Sequence, residues 1–157
     1  SRTIVSWRWR RDALLAEAWR HAGAESAALA ARVTSAAPPG QAIQAMMQAY
    51  LSSEHISAIE TGCPVSALGS EMPRQSPEVR RAATIHIKEM IDLIARQLPD
   101  WGQPQAHQQA MALLCALIGT TVIARAVDDP ALSEALRAQK FIPSVVVAMR
   151  VPAWLTS

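Results

Sequence analysis

The stretch AMALLCALIGTTVIA, residues 110–124, contains no charged side chain and shows no polar face when it is wound as a helix. A helix that is apolar on all sides must be covered on all sides. A chain of 157 residues has few other helices left to cover the far side. The stretch therefore predicts a second copy of the chain there, and the small residues Gly119, Thr120, Thr121 and Ala124 allow its close approach. The alternative is a central core helix within one subunit.

The composition of the whole chain favours helices. Half of the residues are apolar and 18% are charged, which is typical of a globular rather than a disordered protein. Phe and Tyr occur once each, so the aromatic and β-branched runs expected of sheets are missing. We predict an all-α fold, a helical domain of about six helices.

Prolines divide the chain into helical segments, because proline interrupts a helix interior but is tolerated in the first turn. Ser76-Pro77 and Asp129-Pro130 each combine an N-cap residue with a proline at the first helical position. The predicted helices span 11–35, 39–56, 64–72, 77–98, 104–127 and 130–140.

The last two predicted helices, near 103–127 and 129–139, are the expected pairing elements. Two helices from each subunit would form an intermolecular four-helix bundle. The predicted dimer interface consists of Leu117, Thr120, Thr121, Ile123, Ala124, Val127, Leu132 and Leu136.

The two ends of the chain differ from this helical middle. The first end combines arginines with tryptophans, which could contact a phosphate backbone or could simply form a solvated helix start. We interpret residues 1–10 as a remnant of a DNA-binding region or a non-native segment, residues 11–140 as the folded domain and residues 141–157 as an irregular tail. The basic and aromatic residues of the first end are Arg2, Trp7, Arg8, Trp9, Arg10 and Arg11.

Sequence patterns for catalysis, metal binding and membrane insertion are missing. There is no glycine-rich phosphate loop, His-Glu-x-x-His or Gly-x-Ser-x-Gly. Cys63 and Cys115 lie in no Cys/His spacing suited to zinc. The uncharged residues 110–124 are short for a membrane span, and the first residues do not resemble a signal peptide. We expect a cytoplasmic, non-catalytic protein that uses no cofactor and no metal.

Three segments, in this order, resemble the C-terminal region of the TetR family of transcriptional regulators. RDALLAEA at 11–18 resembles the start of the family's long connecting helix. GCPVSALGSE at 62–71 resembles a Gly-Cys-Pro…Ala-Leu…Glu segment of one branch. ALIGTTVIARAVDDP at 116–130, continuing through Leu136, resembles the end of the dimer-forming region. The likeness covers residues 11–139.

The resemblance implies an all-α regulatory domain that forms a homodimer and binds a small apolar effector in a pocket. It also implies that an N-terminal helix-turn-helix reads DNA in the intact protein. That module has no counterpart in these residues, and residues 1–10 do not reproduce the aromatic-rich turn that precedes the connecting helix. The expected function is effector sensing and dimerisation in a TetR-type repressor. The alternative is a ligand-free helical homodimer that acts as a protein-interaction module.

Candidate ligand-binding residues lie on helix faces that carry methionines, which adapt to irregular apolar pockets but also fill ordinary cores. His86 falls on one helix face with Val79, Ala83, Met90 and Leu93. It would border the pocket and orient a ligand, or it is a satisfied core histidine. The predicted pocket residues are Met46, Met47, Tyr50, Leu68, Met72, His86, Met90, Leu93, Met111, Leu114 and Cys115.

Overall fold

The computed structural model describes the backbone of residues 2–138 and the side chains of residues 7–138. Over that range the chain forms seven α-helices, one 3₁₀ segment and no strand, which confirms the all-α prediction. The predicted tail at 141–157 lies outside the described residues. The helices are α1 (Arg2–Ala36), α2 (Ala42–Tyr50), α3 (Ser53–Ser57), α4 (Pro64–Leu68), α5 (Pro77–Ala95), α6 (Pro104–Ala126) and α7 (Pro130–Arg137), with the 3₁₀ segment at Gly69–Arg74 between α4 and α5.

Several helix boundaries differ from the predictions. Helix α1 begins at Arg2 rather than at residue 11, because no proline or glycine interrupts the preceding turns. The predicted helix at 39–56 is two helices, since the chain turns at Ser52 and the Ser52 hydroxyl accepts a hydrogen bond from the His55 amide at 3.1 Å. The predicted helix at 64–72 is the short α4 followed by the 3₁₀ segment, which contains Pro73.

The two predicted helix starts at Ser76-Pro77 and Asp129-Pro130 behave differently. The Asp129 carboxylate accepts hydrogen bonds from the amides of Ala131 and Leu132 at 2.9 and 3.1 Å, so it caps α7 as expected. Ser76 occupies the N-cap position of α5, but its hydroxyl makes no capping bond and is buried without a partner. Pro77 in the first turn marks the start of α5 without help from the serine hydroxyl.

Helices α1, α5 and α6 form the body of the subunit, with α1 packed along α5 and α5 packed along α6. Helices α1 and α5 approach each other closely at Gly23, where a Cβ atom would lie 2.9 Å from Cγ of His86. Because Gly23 has no side chain, the His86 ring fits between the two helices. His86 is 2% exposed, as its apolar neighbours on α5 predicted.

One face of α6 lies in the core of the subunit and the opposite face does not. The buried face repeats at helical spacing through Leu113, Leu117, Thr121 and Ala124. On the other side Met111, Cys115, Val122 and Ile123 are exposed. Among the described helices α6 alone has the length and apolar composition of a membrane span. Its buried face marks it equally as the core helix of a globular subunit.

We expect Gly23→Ala to destabilise the fold, because the added methyl overlaps the His86 ring at a cost of about 1–3 kcal/mol. The roughly 1 kcal/mol that alanine gains over glycine in a helix offsets part of this cost and leaves a net loss of up to about 2 kcal/mol. Urea unfolding followed by circular dichroism measures the difference. Gly69→Ala is the matched control, because its Cβ would meet only Val65 at 3.7 Å. Equal or greater stability of Gly23→Ala would contradict the close packing described here.

Candidate ligand cavity

A cavity of about 460 Å³, open to solvent on one side, lies between α1, α2, α3 and the loop that leads into α4. Helix α5 reaches it through Met90. The apolar part of its wall consists of Leu29, Ala30, Val33, Met46, Ala49, Ala58 and Met90. Charged side chains of both signs, Glu25, Arg32 and Glu54, also line it. The cavity is therefore mostly apolar, with acidic and basic side chains also in its wall.

Three of the predicted pocket residues, Met46, Tyr50 and Met90, line this cavity. His86 does not line it but lies behind Cys63, which does. The structure brings these residues together from α2, α5 and the loop before α4. Leu29 and Val33 of α1 also line the cavity and were not predicted as pocket residues. The assignments to ligand binding stay predictions.

The other predicted pocket residues lie elsewhere. Leu93 lines a separate groove of about 660 Å³ between α1 and α5, next to Glu89, Asp92 and Arg96. Leu114 is buried in the main core. The remaining five are half-buried or exposed at other places on the surface of the subunit: Met47, Leu68, Met72, Met111 and Cys115.

Two buried polar side chains, one in the cavity wall and one outside it, have no hydrogen-bond partner among the described residues. These are the hydroxyl of Tyr50 and both ring nitrogens of His86. Burial, followed by the proximity of Cys63, raises the pKa of Tyr50, so the phenol keeps its proton and can donate it. A buried polar group without a partner costs about 1–3 kcal/mol. Tyr50 is therefore a residue of the cavity wall with an unsatisfied polar group.

The thiol of Cys63 lies beside these two side chains and is 1% exposed. Burial raises the pKa of the thiol, but interactions with His86 and Tyr50 and with the amides of Ser66 and Val65 outweigh it. The pKa is therefore below the usual value for cysteine. Neither the contact with His86 nor that with Tyr50 has the geometry of a well-formed hydrogen bond, so both partners stay unsatisfied.

His55 forms part of the cavity wall and is held in one tautomer. Its Nδ1 lies 2.6 Å from the carbonyl oxygen of Tyr50, and the Cys63 amide donates to its Nε2 at 3.3 Å. An acceptor at one nitrogen and a donor at the other fix the proton on Nδ1. Burial is the main cause that lowers the pKa of His55, and the nearby Arg125 adds to it. The neutral ring therefore connects the carbonyl group of Tyr50 to the amide of Cys63.

Arg125 of α6 ties this wall to the body of the subunit. Its Nε and one terminal nitrogen donate to the carbonyl oxygens of Ile56 and His55, each at 2.9 Å, and its other terminal nitrogen donates to the Ser66 hydroxyl at 3.1 Å. Gly62 lies next to the Arg125 guanidinium, and a Cβ at Gly62 would lie 2.9 Å from the Ala58 carbonyl oxygen. This explains in physical terms the glycine of the Gly-Cys-Pro segment. No local pattern in the sequence indicates this role of Arg125.

A second arginine makes a similar connection from α7. Arg137 donates to the carbonyl oxygen of Leu51 at 3.2 Å and pairs with Glu134 on its own helix. The Ser133 hydroxyl donates to the Ala124 carbonyl oxygen at 2.9 Å and so joins α7 to α6. The pair α6–α7 is therefore bonded to the segment that lines the cavity.

The predicted dimer residues divide between two sides of α6 and α7. Leu117, Thr121 and Ala124 are buried within the subunit, whereas Ile123 and Leu132 are about half exposed. The three others are partly buried: Thr120, Val127 and Leu136. Of the predicted interface residues, mainly Ile123 and Leu132 are free to contact another molecule. The assignment of the interface stays a prediction.

Among the residues whose side chains are described, no group of three or more histidine, cysteine or acidic side chains could hold a metal ion. The sequence model of the family described as transcriptional regulator LmrA/YxaF-like, C-terminal domain, matches residues 39–139. No curated protein and no solved structure shows significant similarity to the chain.

Proposed function

We propose a function from one premise: the chain belongs to the TetR family of transcriptional regulators, as a C-terminal domain of the LmrA/YxaF-like type. On this premise, the chain binds a small apolar effector in the cavity and forms a homodimer through α6 and α7. In the intact repressor, occupancy of the cavity would control DNA binding by an N-terminal helix-turn-helix. Regulators of this family are generally cytoplasmic, and we extend that location to this protein.

The observation that carries the proposal is an apolar cavity of ligand size whose wall includes Tyr50, a residue with a buried hydroxyl that has no partner among the described residues. Ligand pockets in proteins typically occupy about 300–1,000 Å³ and combine an apolar wall with a few polar groups that set orientation. A cavity of about 460 Å³ meets that description. A ligand with one polar group would offset the cost of leaving the Tyr50 hydroxyl unsatisfied.

The exposed side of α6 and α7 supports the homodimer. Val122 and Ile123 near the end of α6 are 44% and 51% exposed, and Leu132 in α7 is 46% exposed. The same surface contains the small residue Gly119, where a Cβ would meet nothing within 4 Å. An isologous contact between two such surfaces would assemble the four-helix bundle that the sequence predicts.

The arginine bonds provide a route between effector and dimer. An effector can shift the arrangement of the subunits only if it binds the two arrangements unequally. Arg125 and Arg137 hold α6 and α7 to the segment Leu51–Cys63, so a ligand that moves this segment also acts on the paired helices. In the intact protein the spacing of two DNA-reading heads would change, and such heads fit half-sites about one helical turn apart.

Filling the cavity should abolish binding of an apolar reporter. We expect anilinonaphthalene sulfonate to bind wild-type protein with a fluorescence gain, and Ala49→Trp to weaken this binding at least about 10-fold, since an indole would occupy the space of the dye. Ala28→Trp, in the separate groove between α1 and α5, is the matched control and should bind as wild type does. Absence of dye binding, or its loss only in Ala28→Trp, would refute the cavity as the ligand site.

Substitution of two equally exposed isoleucines, one in the proposed interface and one outside it, tests the dimer. Wild-type protein should sediment near twice 17.0 kDa. Ile123→Glu should raise the dimer dissociation constant roughly 100-fold, because it places an unpaired charge in the interface. Ile85→Glu on α5 is also at a position that is 51% exposed and should leave the dimer intact. Analytical ultracentrifugation measures all three proteins, and a monomeric wild type would overturn the pairing of α6 and α7.

A further inference from the structure

The segment WRWRR at 7–11 lies in the first turns of α1 and outside the core clusters of the subunit. Trp7 and Trp9 are 73% and 70% exposed. Among the residues whose side chains are described, Ala16 is the first buried residue of α1, and it packs in a cluster with Val79 near the start of α5. The turns that carry the WRWRR segment therefore pack little against the rest of the described subunit.

The WRWRR segment is strongly basic. It contains three arginines, and Asp12 is the first acidic residue in the chain. Arg8 and Arg10 are exposed and form no ion pair with the described side chains, whereas Arg11 pairs with the adjacent Asp12 at 3.4 Å. The guanidinium group matches the geometry of a phosphate and binds it through two hydrogen bonds. The charge of this surface is therefore complementary to that of a polyanion.

Helical geometry puts the two indoles of the segment on different sides of α1. Residues two positions apart are rotated by roughly 200° about the helix axis. Trp7 shares its side with Arg10 and Arg11, which follow it by three and four positions. Trp9 lies on the other side, with Arg8 and Arg10 on its two flanks. Each exposed indole therefore has arginines next to it.

This distribution of side chains distinguishes between three kinds of anionic partner. A helix that lies in a membrane interface has its apolar side chains on one face and its charges on the other, and the WRWRR segment does not. A duplex offers phosphates to the arginines but keeps its bases stacked inside. An unpaired strand offers both phosphates and the faces of its bases, which aromatic side chains and arginines bind together.

We propose that the WRWRR segment binds single-stranded nucleic acid without sequence preference. Arg8 and Arg10 contact the phosphates, and the indoles of Trp7 and Trp9 stack on the bases. Stacking on an aromatic side chain tolerates any base, since every base has a π face. The inference uses neither the cavity nor the dimer and goes beyond the proposed function.

Fluorescence anisotropy of a labelled oligothymidylate of about 16 nucleotides tests the stacking. We expect the wild-type protein to bind this strand at low ionic strength, and to bind a duplex of equal length at least about 5-fold more weakly. Trp7→Ala combined with Trp9→Ala should weaken binding of the single strand at least about 5-fold. Trp101→Ala removes another exposed indole, in the loop between α5 and α6, and as the matched control should bind as wild type does.

Salt dependence tests the arginines. For a single strand, each neutralised phosphate contributes about −0.7 to the slope of log affinity against log salt concentration. Arg8→Ala combined with Arg10→Ala should therefore make the slope shallower by about 1.4. Arg81→Ala combined with Lys88→Ala removes the same charge from exposed positions of α5 and should keep the wild-type slope. Circular dichroism confirms that each variant is folded.

Four outcomes would overturn the proposal. The first is a wild-type protein that does not bind the oligothymidylate, and the second is a duplex that binds as tightly as the single strand. The third is a loss of affinity in the control variants equal to that in the variants of the WRWRR segment. The fourth is binding to vesicles of anionic lipid without binding to the oligothymidylate, which would assign the segment to a membrane surface.

Discussion

The guanidinium of Arg125 donates hydrogen bonds to the carbonyl oxygens of His55 and Ile56 and to the hydroxyl of Ser66. The two carbonyls belong to the end of α3, a helix of five residues whose last carbonyls have no partners within the helix. Hydrogen bonds to a charged donor are worth about 1.5–3 kcal/mol each. Most residues of α3 and of the loop to α4 are exposed or only partly buried, so the position of the cavity wall depends strongly on these hydrogen bonds, to which Arg137 adds one at Leu51.

Helix α6 therefore has three roles. Its inner face supplies the core through residues such as Leu113 and Leu117, and Arg125 holds the cavity wall. Its outer face leaves Ile123 exposed, where we propose that a second copy packs. A displacement of α3 by a bound ligand would be transmitted along the hydrogen bonds of Arg125 to the helix that forms the proposed interface. No separate hinge is needed for this coupling.

The sequence predicted the helices better than the cavity, for physical reasons. Prolines and apolar spacing mark helices locally, and the Asp129 cap of α7 and the burial of His86 on α5 followed from the residues alone. The break at Ser52 was missed because it depends on a hydroxyl that caps the next helix instead of continuing the previous one. Met46, Tyr50 and Met90 were identified by their chemistry, and the structure places all three on the cavity wall.

Other features of the site depend on contacts between segments that are far apart in the chain. Arg125 lies 69 and 70 residues from the carbonyl groups that it binds, and no local pattern announces such a pairing. Met111 and Cys115 are apolar helix residues like those of the cavity wall. They are exposed on the outer side of α6, because α6 buries only one face within the subunit. Periodicity identifies a face as apolar, and it does not distinguish a face that meets a ligand from one that meets a partner.

Amide hydrogen exchange, measured with and without bound anilinonaphthalene sulfonate, tests most directly whether the cavity and the paired helices act as one unit. The account predicts that the dye slows exchange in the cavity wall and also in α7 and the last turns of α6. In Arg125→Lys, which keeps the charge but loses the planar fork of donors, only the cavity wall should respond. Slowing confined to the cavity wall in the wild-type protein would contradict the central claim.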